Sequence, residues 1–131
     1  MEVDLDVIVR STEIDVNGHV NNAKYLEYIE WGREEWYEKV GLTYAVFLKM
    51  GIQTVTVNIN VNYRKECVQG DHLRIKTRPD KVGNTSYVMV QEIMNQNGEL
   101  CADARVTCVT MDAKTRQSRP VPEALRRFFG C

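Results

Sequence analysis

Residues 23–41 read AKYLEYIEWGREEWYEKVG, and the spacing within them decides the fold. Tyr25, Ile29, Gly32, Trp36 and Val40 recur at three- and four-residue steps. That period places them on one face of a helix. Glu27, Glu30, Arg33, Glu34, Glu38 and Lys39 fill much of the remainder. Gly41 is suited to end the helix in a left-handed conformation. The spacing therefore predicts one long helix from Ala23 to about Val40, with an apolar face that must be covered.

Outward from this helix the pattern changes to a period of two. Before it, Val3, Leu5, Val7 and Val9 alternate with Asp4, Asp6, Ile8 and Arg10, which predicts a first strand. After it, Gly51 opens the longest strand. Val55, Val57, Ile59, Val61 and Tyr63 fall on one predicted face, and Thr54, Thr56, Asn58, Asn60 and Asn62 on the other. The second face is polar yet uncharged, which favours a partner surface over bulk water. Leu73, Ile75 and Thr77 alternate with Arg74, Lys76 and Arg78. Thr85 to Met94 follows, and the Asn97-Gly98 turn signal joins it to Leu100 through Met111. Ala102 and Ala104 alternate with Asp103 and Arg105, leaving room for a helix on the small-residue face. Pro120 and Pro122 precede a short helix, Glu123 to Phe129. One helix and one antiparallel sheet must bury each other, which makes an α+β two-layer domain with the sheet curved around the helix.

The bulk numbers agree with a single domain over 1–131. The net charge of -1 gives no reason to expect nucleic acid. No segment reaches the roughly 18 apolar residues of a membrane span, and the acidic start MEVDLDVIVR is unlike a signal peptide. Cys67, Cys101, Cys108 and Cys131 show no C-x-x-C spacing. They read as free thiols of a reducing, cytoplasmic compartment, not as metal ligands.

Between first strand and helix lies DVNGHVNNA, residues 15–23. As plain structure, Asn17-Gly18 makes a turn, Asn21 or Asn22 caps the helix, and Asp15 bonds amides of its own loop. As a site, the same stretch offers more. The first helical turn presents free N–H groups and a partial positive charge, which polarise a carbonyl oxygen placed there. Asp15, folded back by the Asn17-Gly18 turn, faces the same carbonyl as nucleophile or base. That pairing suits acyl transfer to water.

Asp15-x-x-Gly18-His19-Val20-Asn21-Asn22-Ala23-x-Tyr25-Leu26, with Tyr28-x-Glu30-x-x-Arg33, resembles the 4-hydroxybenzoyl-CoA thioesterase family, closest to its long-chain acyl-CoA branch. Val61-Asn62-Tyr63, Gly70-Asp71-x-Leu73, Gly83-x-Thr85-Ser86 and Arg119-Pro120-Val121-Pro122 extend the resemblance over nearly the whole chain. It implies a hotdog fold and a homodimer joined sheet edge to sheet edge, often doubled to a homotetramer, with sites at the dimer interface. It implies hydrolysis of a fatty or aromatic acyl-CoA or acyl-carrier-protein thioester, without cofactor or metal. Asp15 matches the nucleophile or general base, and the backbone N–H of Asn22 matches the carbonyl-polarising donor. Gly18 and His19 match motif positions. Two further readings stand beside this one: an enoyl-thioester hydratase or dehydratase using His19 and Glu30, and a non-catalytic acyl-CoA binding module.

Elsewhere, Glu30 and Arg33 are spaced to form a helix ion pair. Arg74, Lys76 and Arg78 make a basic stripe that reads first as a solvated strand face and second as a holder of coenzyme A phosphates. His72 reads as exposed. Tyr28, Trp31 and Trp36 read as helix packing.

Overall fold

The computed structural model describes residues 1–130; Cys131 lies outside the described residues. Five strands form one antiparallel sheet: β1 (Val3–Ile8), β2 (Ile52–Tyr63), β3 (His72–Val82), β4 (Ser86–Met94) and β5 (Leu100–Asp112), in the order β1-β3-β4-β5-β2. The long helix α1 (Asn22–Val40) packs across β1, β3 and β4. A short α2 (Tyr44–Lys49) leads into β2, and α3 (Glu123–Arg126) closes the chain with a 3-10 turn, Arg127–Phe129.

The helix forms where its period required. Tyr25, Tyr28, Ile29, Gly32 and Trp36 are buried, and Gly41 ends it at φ 78°. Trp31 packs edge-on against Tyr28 at 5.5 Å. Opposite lie Leu73 and Ile75 of β3, Tyr87, Met89 and Ile93 of β4, and Ala102, Ala104 and Val106 of β5, all buried. Gly32 sets the distance between the layers. A Cβ there would stand 2.6 Å from Ile75 Cγ2, 2.9 Å from Gln91 Nε2 and 2.9 Å from Thr77 Oγ1.

Arg33 departs from the expected ion pair with Glu30. It is only 9% exposed. Its Nη1 donates to Gln91 Oε1 at 3.1 Å, while Gln91 Nε2 donates to the Ile29 carbonyl at 2.7 Å and to Thr77 Oγ1 at 2.9 Å. A buried polar network needs every member partnered, and here Arg33 is drawn inward by the Gln91 amide. Glu30 stays exposed.

Strand β2 also departs from its simple alternation. The register against β5 shifts between Thr56 and Asn58. Thr54 and Thr56 stand opposite Thr110 and Cys108, whereas Ile59 and Val61 stand opposite Val106 and Ala104. One extra residue, Val57, inserts a bulge and exchanges the faces halfway along. The Asn58, Asn60 and Asn62 row survives as one face, but Val55 joins it and the threonines leave. β2 is an edge strand, and its Val57, Ile59 and Tyr63 are 57%, 38% and 50% exposed. The Asn97-Gly98 signal does mark the β4–β5 turn, though the connection is longer than a two-residue hairpin. Asn95 Oδ1 accepts from the N–H groups of Asn97 and Glu99, both at 3.0 Å.

The basic stripe is largely neutralised. Arg74 pairs with Asp6 at 3.1 Å, and Arg78 with Glu92 at 3.4 Å. His72 is exposed.

Cys67, Cys101 and Cys108 are buried free thiols. Burial raises the Cys67 thiol and pushes Cys101 up to about 12. Thiolate is the reactive form. Iodoacetamide at pH 8 therefore leaves Cys67 and Cys101 unmodified in native protein and labels both in denaturant, as peptide mass mapping will show.

Candidate active site

The stretch between β1 and α1 closes on itself before the helix begins. Ile14 and Val20 form an isolated bridge. Asp15 N–H donates to the His19 carbonyl at 2.8 Å, and Gly18 N–H to the Asp15 carbonyl at 3.1 Å. Gly18 has φ 82°, a left-handed conformation that glycine adopts without strain. The carboxylate fixes the same turn: Asp15 Oδ1 accepts from Asn17 N–H at 2.9 Å and His19 N–H at 3.3 Å. Its second oxygen, Oδ2, makes no hydrogen bond among the described residues.

The helix start is organised just as tightly. Of the two candidate caps, Asn21 fills the position, its Oδ1 accepting from Ala23 N–H at 2.9 Å. Asn21 N–H donates to the Glu13 carbonyl at 2.9 Å. Glu13 Oε1 in turn accepts from the buried Tyr28 hydroxyl at 2.7 Å. With Ala23 capped, the N–H of Asn22 makes no hydrogen bond among the described residues. Asn21→Ala is expected to cost about 1 kcal/mol, read as a fall of the thermal midpoint by roughly 4 °C.

A cleft of about 240 Å³ opens here, lined by Asp15, His19, Val20, Asn22, Tyr25 and Tyr63 with the segment Arg64–Glu66. Three sequence candidates, Asp15, His19 and Asn22, thus share one hollow. Gly18 does not line it; it shapes the turn. Glu30 does not line it either.

The far wall comes from the connection between β2 and β3, which carried no local signal in the sequence. Val20 N–H donates to the Cys67 carbonyl at 2.9 Å. Cys67 N–H donates to the Tyr25 hydroxyl at 3.1 Å. Burial raises the Tyr25 phenol well above its ordinary value. Tyr63 ends β2 edge-on to Tyr25 at 5.2 Å. Arg64 Nε donates to Asp103 Oδ2 at 2.7 Å and holds the Asp103 carboxyl below the usual range. His19 Nε2 stands 2.9 Å from Glu66 Oε2.

Two larger hollows lie away from this turn. One, of about 560 Å³, runs between Glu34, Tyr37, Glu38, Phe47 and the β2 residues Thr54 and Val55. The other, of about 690 Å³, borders His72, Arg74 and Lys76 beside the β4–β5 turn. Among the described residues no group of three or more His, Cys, Asp or Glu is placed to hold a metal ion, and no helix is long and apolar enough to cross a membrane.

A long helix laid across an antiparallel sheet of order β1-β3-β4-β5-β2 is the hotdog arrangement. Residues 9–129 match the Thioesterase-like superfamily, and the chain belongs to it. It is 35% identical to the long-chain acyl-CoA thioesterase FadM of Escherichia coli, over 90% of this chain and 89% of that one. A DHNA-CoA thioesterase structure from Staphylococcus aureus superposes with a TM-score of 0.84 at 26% identity, covering 98% of this chain and 83% of that one. The Staphylococcus aureus protein SAV2348, solved in complex with CoA, shares the fold with a TM-score of 0.90 at 17% identity, covering 98% and 84%.

Proposed function

We propose that the protein hydrolyses acyl-CoA thioesters to the free acid and CoA in the cleft at the start of α1. The observation that carries this reading is a pair of vacancies on one hollow. Asp15 keeps one carboxylate oxygen unengaged, and Asn22 keeps its N–H unengaged. A thioester carbonyl accepting from Asn22 N–H is polarised by the amide and by the helix dipole. Asp15 Oδ2 then acts on the acyl carbon, as nucleophile or through a water. The departing group is a thiolate, which needs little acid assistance. FadM, the relative named for long-chain acyl-CoA, supports CoA as carrier; chloroplastic ATL2 of Arabidopsis thaliana, 28% identical and named for acyl-acyl carrier protein, keeps the carrier protein as the second carrier.

The edge strand supports a dimer. An exposed edge strand invites pairing with another chain, and β2 is twelve residues long with Val57, Ile59 and Tyr63 exposed. We infer a homodimer formed by antiparallel β2–β2 pairing, doubled to a tetramer, working in the cytoplasm. Pairing of that kind brings the hollow beside Thr54 and Val55 of one copy towards Tyr63 of the other. The site then receives its acyl group between two subunits.

The test is a chain-length and aromatic acyl-CoA panel scored by free-thiol release, with enoyl-CoA hydration followed in parallel. Hydrolysis with turnover is the expected outcome. Hydration without thiol release would assign the hydratase chemistry instead, and tight binding without turnover would assign a binding module.

A further inference from the structure

Arg33 carries a charge that its own chain does not answer. The residue is only 9% exposed. Its Nη1 donates to Gln91 Oε1 at 3.1 Å, and an amide oxygen brings no negative charge. No carboxylate among the described residues forms an ion pair with it. Nε and Nη2 make no hydrogen bond among the described residues. Neither is sealed in, because no fully buried side-chain nitrogen or oxygen is left without a partner. A guanidinium held this deep is costly unless an anion is brought to it. Its open nitrogens mark the side from which that anion comes. That side of α1 looks towards β2. Tyr25 stands edge-on to Tyr63 at 5.2 Å, and Tyr37 lines one hollow with Thr54. Gln91, which holds Arg33, is in register with Ala104 of β5, and Ala104 with Val61 of β2. Leu26, Glu30, Arg33 and Tyr37 follow at steps of three and four and make one stripe of the helix. Glu30 is exposed, and its carboxylate makes no hydrogen bond or ion pair among the described residues. One stripe thus holds a buried cation and an exposed anion one turn apart, and the two do not meet within the chain.

We propose that this stripe of α1 meets a second copy of the chain, with Arg33 of each copy bound to Glu30 of the partner subunit. This pairing rests on the β2–β2 dimer inferred above and names the contact that makes its assembly specific. Antiparallel edge-to-edge pairing continues the sheet and leaves both helices on one face of it. The two-fold axis then stands normal to the sheet, so the two helices run antiparallel. A two-fold contact is reciprocal: when position 33 meets position 30, position 30 meets position 33. The stripe is therefore self-complementary, a cation facing an anion twice over. Arginine suits the place, because its planar fork reaches a carboxylate with two N–H groups and is weakly hydrated. Gln91 sets the orientation of the guanidinium from below and leaves Nε and Nη2 for the incoming carboxylate. The Arg33 charge is thus compensated only in the assembled protein, and Glu30 serves assembly and not the fold of one copy.

The test is the dissociation constant of the full chain, measured by sedimentation over a dilution series at fixed salt. Subunit exchange between differently labelled copies reads the same difference where that constant lies below the dilution range. Glu30→Gln is expected to weaken assembly about 10²-fold or more, since it leaves a buried guanidinium unpaired. The circular dichroism of the diluted variant stays that of wild type, because the Glu30 carboxylate touches nothing in its own chain. Arg33→Gln weakens assembly as well, and adding Glu30→Gln to it changes the constant by less than about twofold, the pair being already broken. Should Arg33→Gln fail to fold, Glu30→Gln alone decides. A Glu30→Gln protein that assembles within about twofold of wild type, or two substitutions whose effects add in full, overturns the pair and leaves the β2 dimer standing. A wild type that sediments as a single copy at every concentration overturns the dimer and the pair together.

Discussion

Asp15→Asn is expected to remove thiol release from acyl-CoA while the chain stays folded. The substitution separates the two duties of this side chain. One is structural: Oδ1 accepts from Asn17 and His19 N–H groups. An asparagine oxygen accepts the same bonds, so the turn and the cap at Asn21 persist. The other duty, in the proposed reaction, needs the negative charge on Oδ2, and an amide nitrogen there neither attacks a carbonyl nor accepts from water. Loss of a positioned base or nucleophile is worth about 10²–10⁴ in rate, so kcat is expected to fall at least 10³-fold with the thermal midpoint nearly unchanged. A free-thiol assay beside a melting curve checks both halves. Full activity in this variant would remove Asp15 from the mechanism.

Gly32→Val unfolds the protein at a markedly lower temperature. The position tolerates no Cβ without movement, because Ile75, Gln91 and Thr77 already stand within 3 Å of where it would lie. Two of those three atoms belong to the polar network that satisfies Arg33 and the Ile29 carbonyl. Pushing α1 away from the sheet would loosen both the packing and the network. Overpacking costs about 1–3 kcal/mol, and a buried polar group left without its partner adds about 1–3 kcal/mol more. A total near 3–4 kcal/mol exceeds the modest helix-propensity gain of about 0.5 kcal/mol from removing glycine. The thermal midpoint is expected to fall by at least 10 °C. Denaturant unfolding gives the same comparison, and an unchanged midpoint would mean that the helix sits further from the sheet.

Which features were legible beforehand follows from how far apart their causes lie in the chain. The helix showed itself through Tyr25, Ile29, Gly32 and Trp36, because a 3.6-residue period is a local property. The polar stretch was legible for the same reason: turn, cap and helix start all fall within 15–23, so spacing alone brought Asp15 to the helix start at Asn22, whereas His19 entered only as a position of the family motif. Arg33 was misread because charge usually means exposure, and nothing near it in sequence announces Gln91 58 residues later. The bulge at Val57 was hidden for a related reason. Alternation within one strand continues through a bulge, and only the partner strand shows that the faces have exchanged. α2 is too short for a periodic signal. The segment carrying Glu66 and Cys67 reaches the site through Val20 and Tyr25, more than forty residues back in the chain, and no local pattern records such a contact.

The central claim is that a thioester carbonyl lies against the Asn22 N–H at the start of α1, polarised by it. The infrared stretch of a carbonyl-labelled (carbon-13) acyl-CoA bound to Asp15→Asn reads this directly, since the variant is expected to hold substrate without consuming it. The account predicts a C=O band displaced to lower frequency than that of free acyl-CoA in water, the signature of a strong donor in a preorganised site. A bound band at or above the free frequency would contradict it.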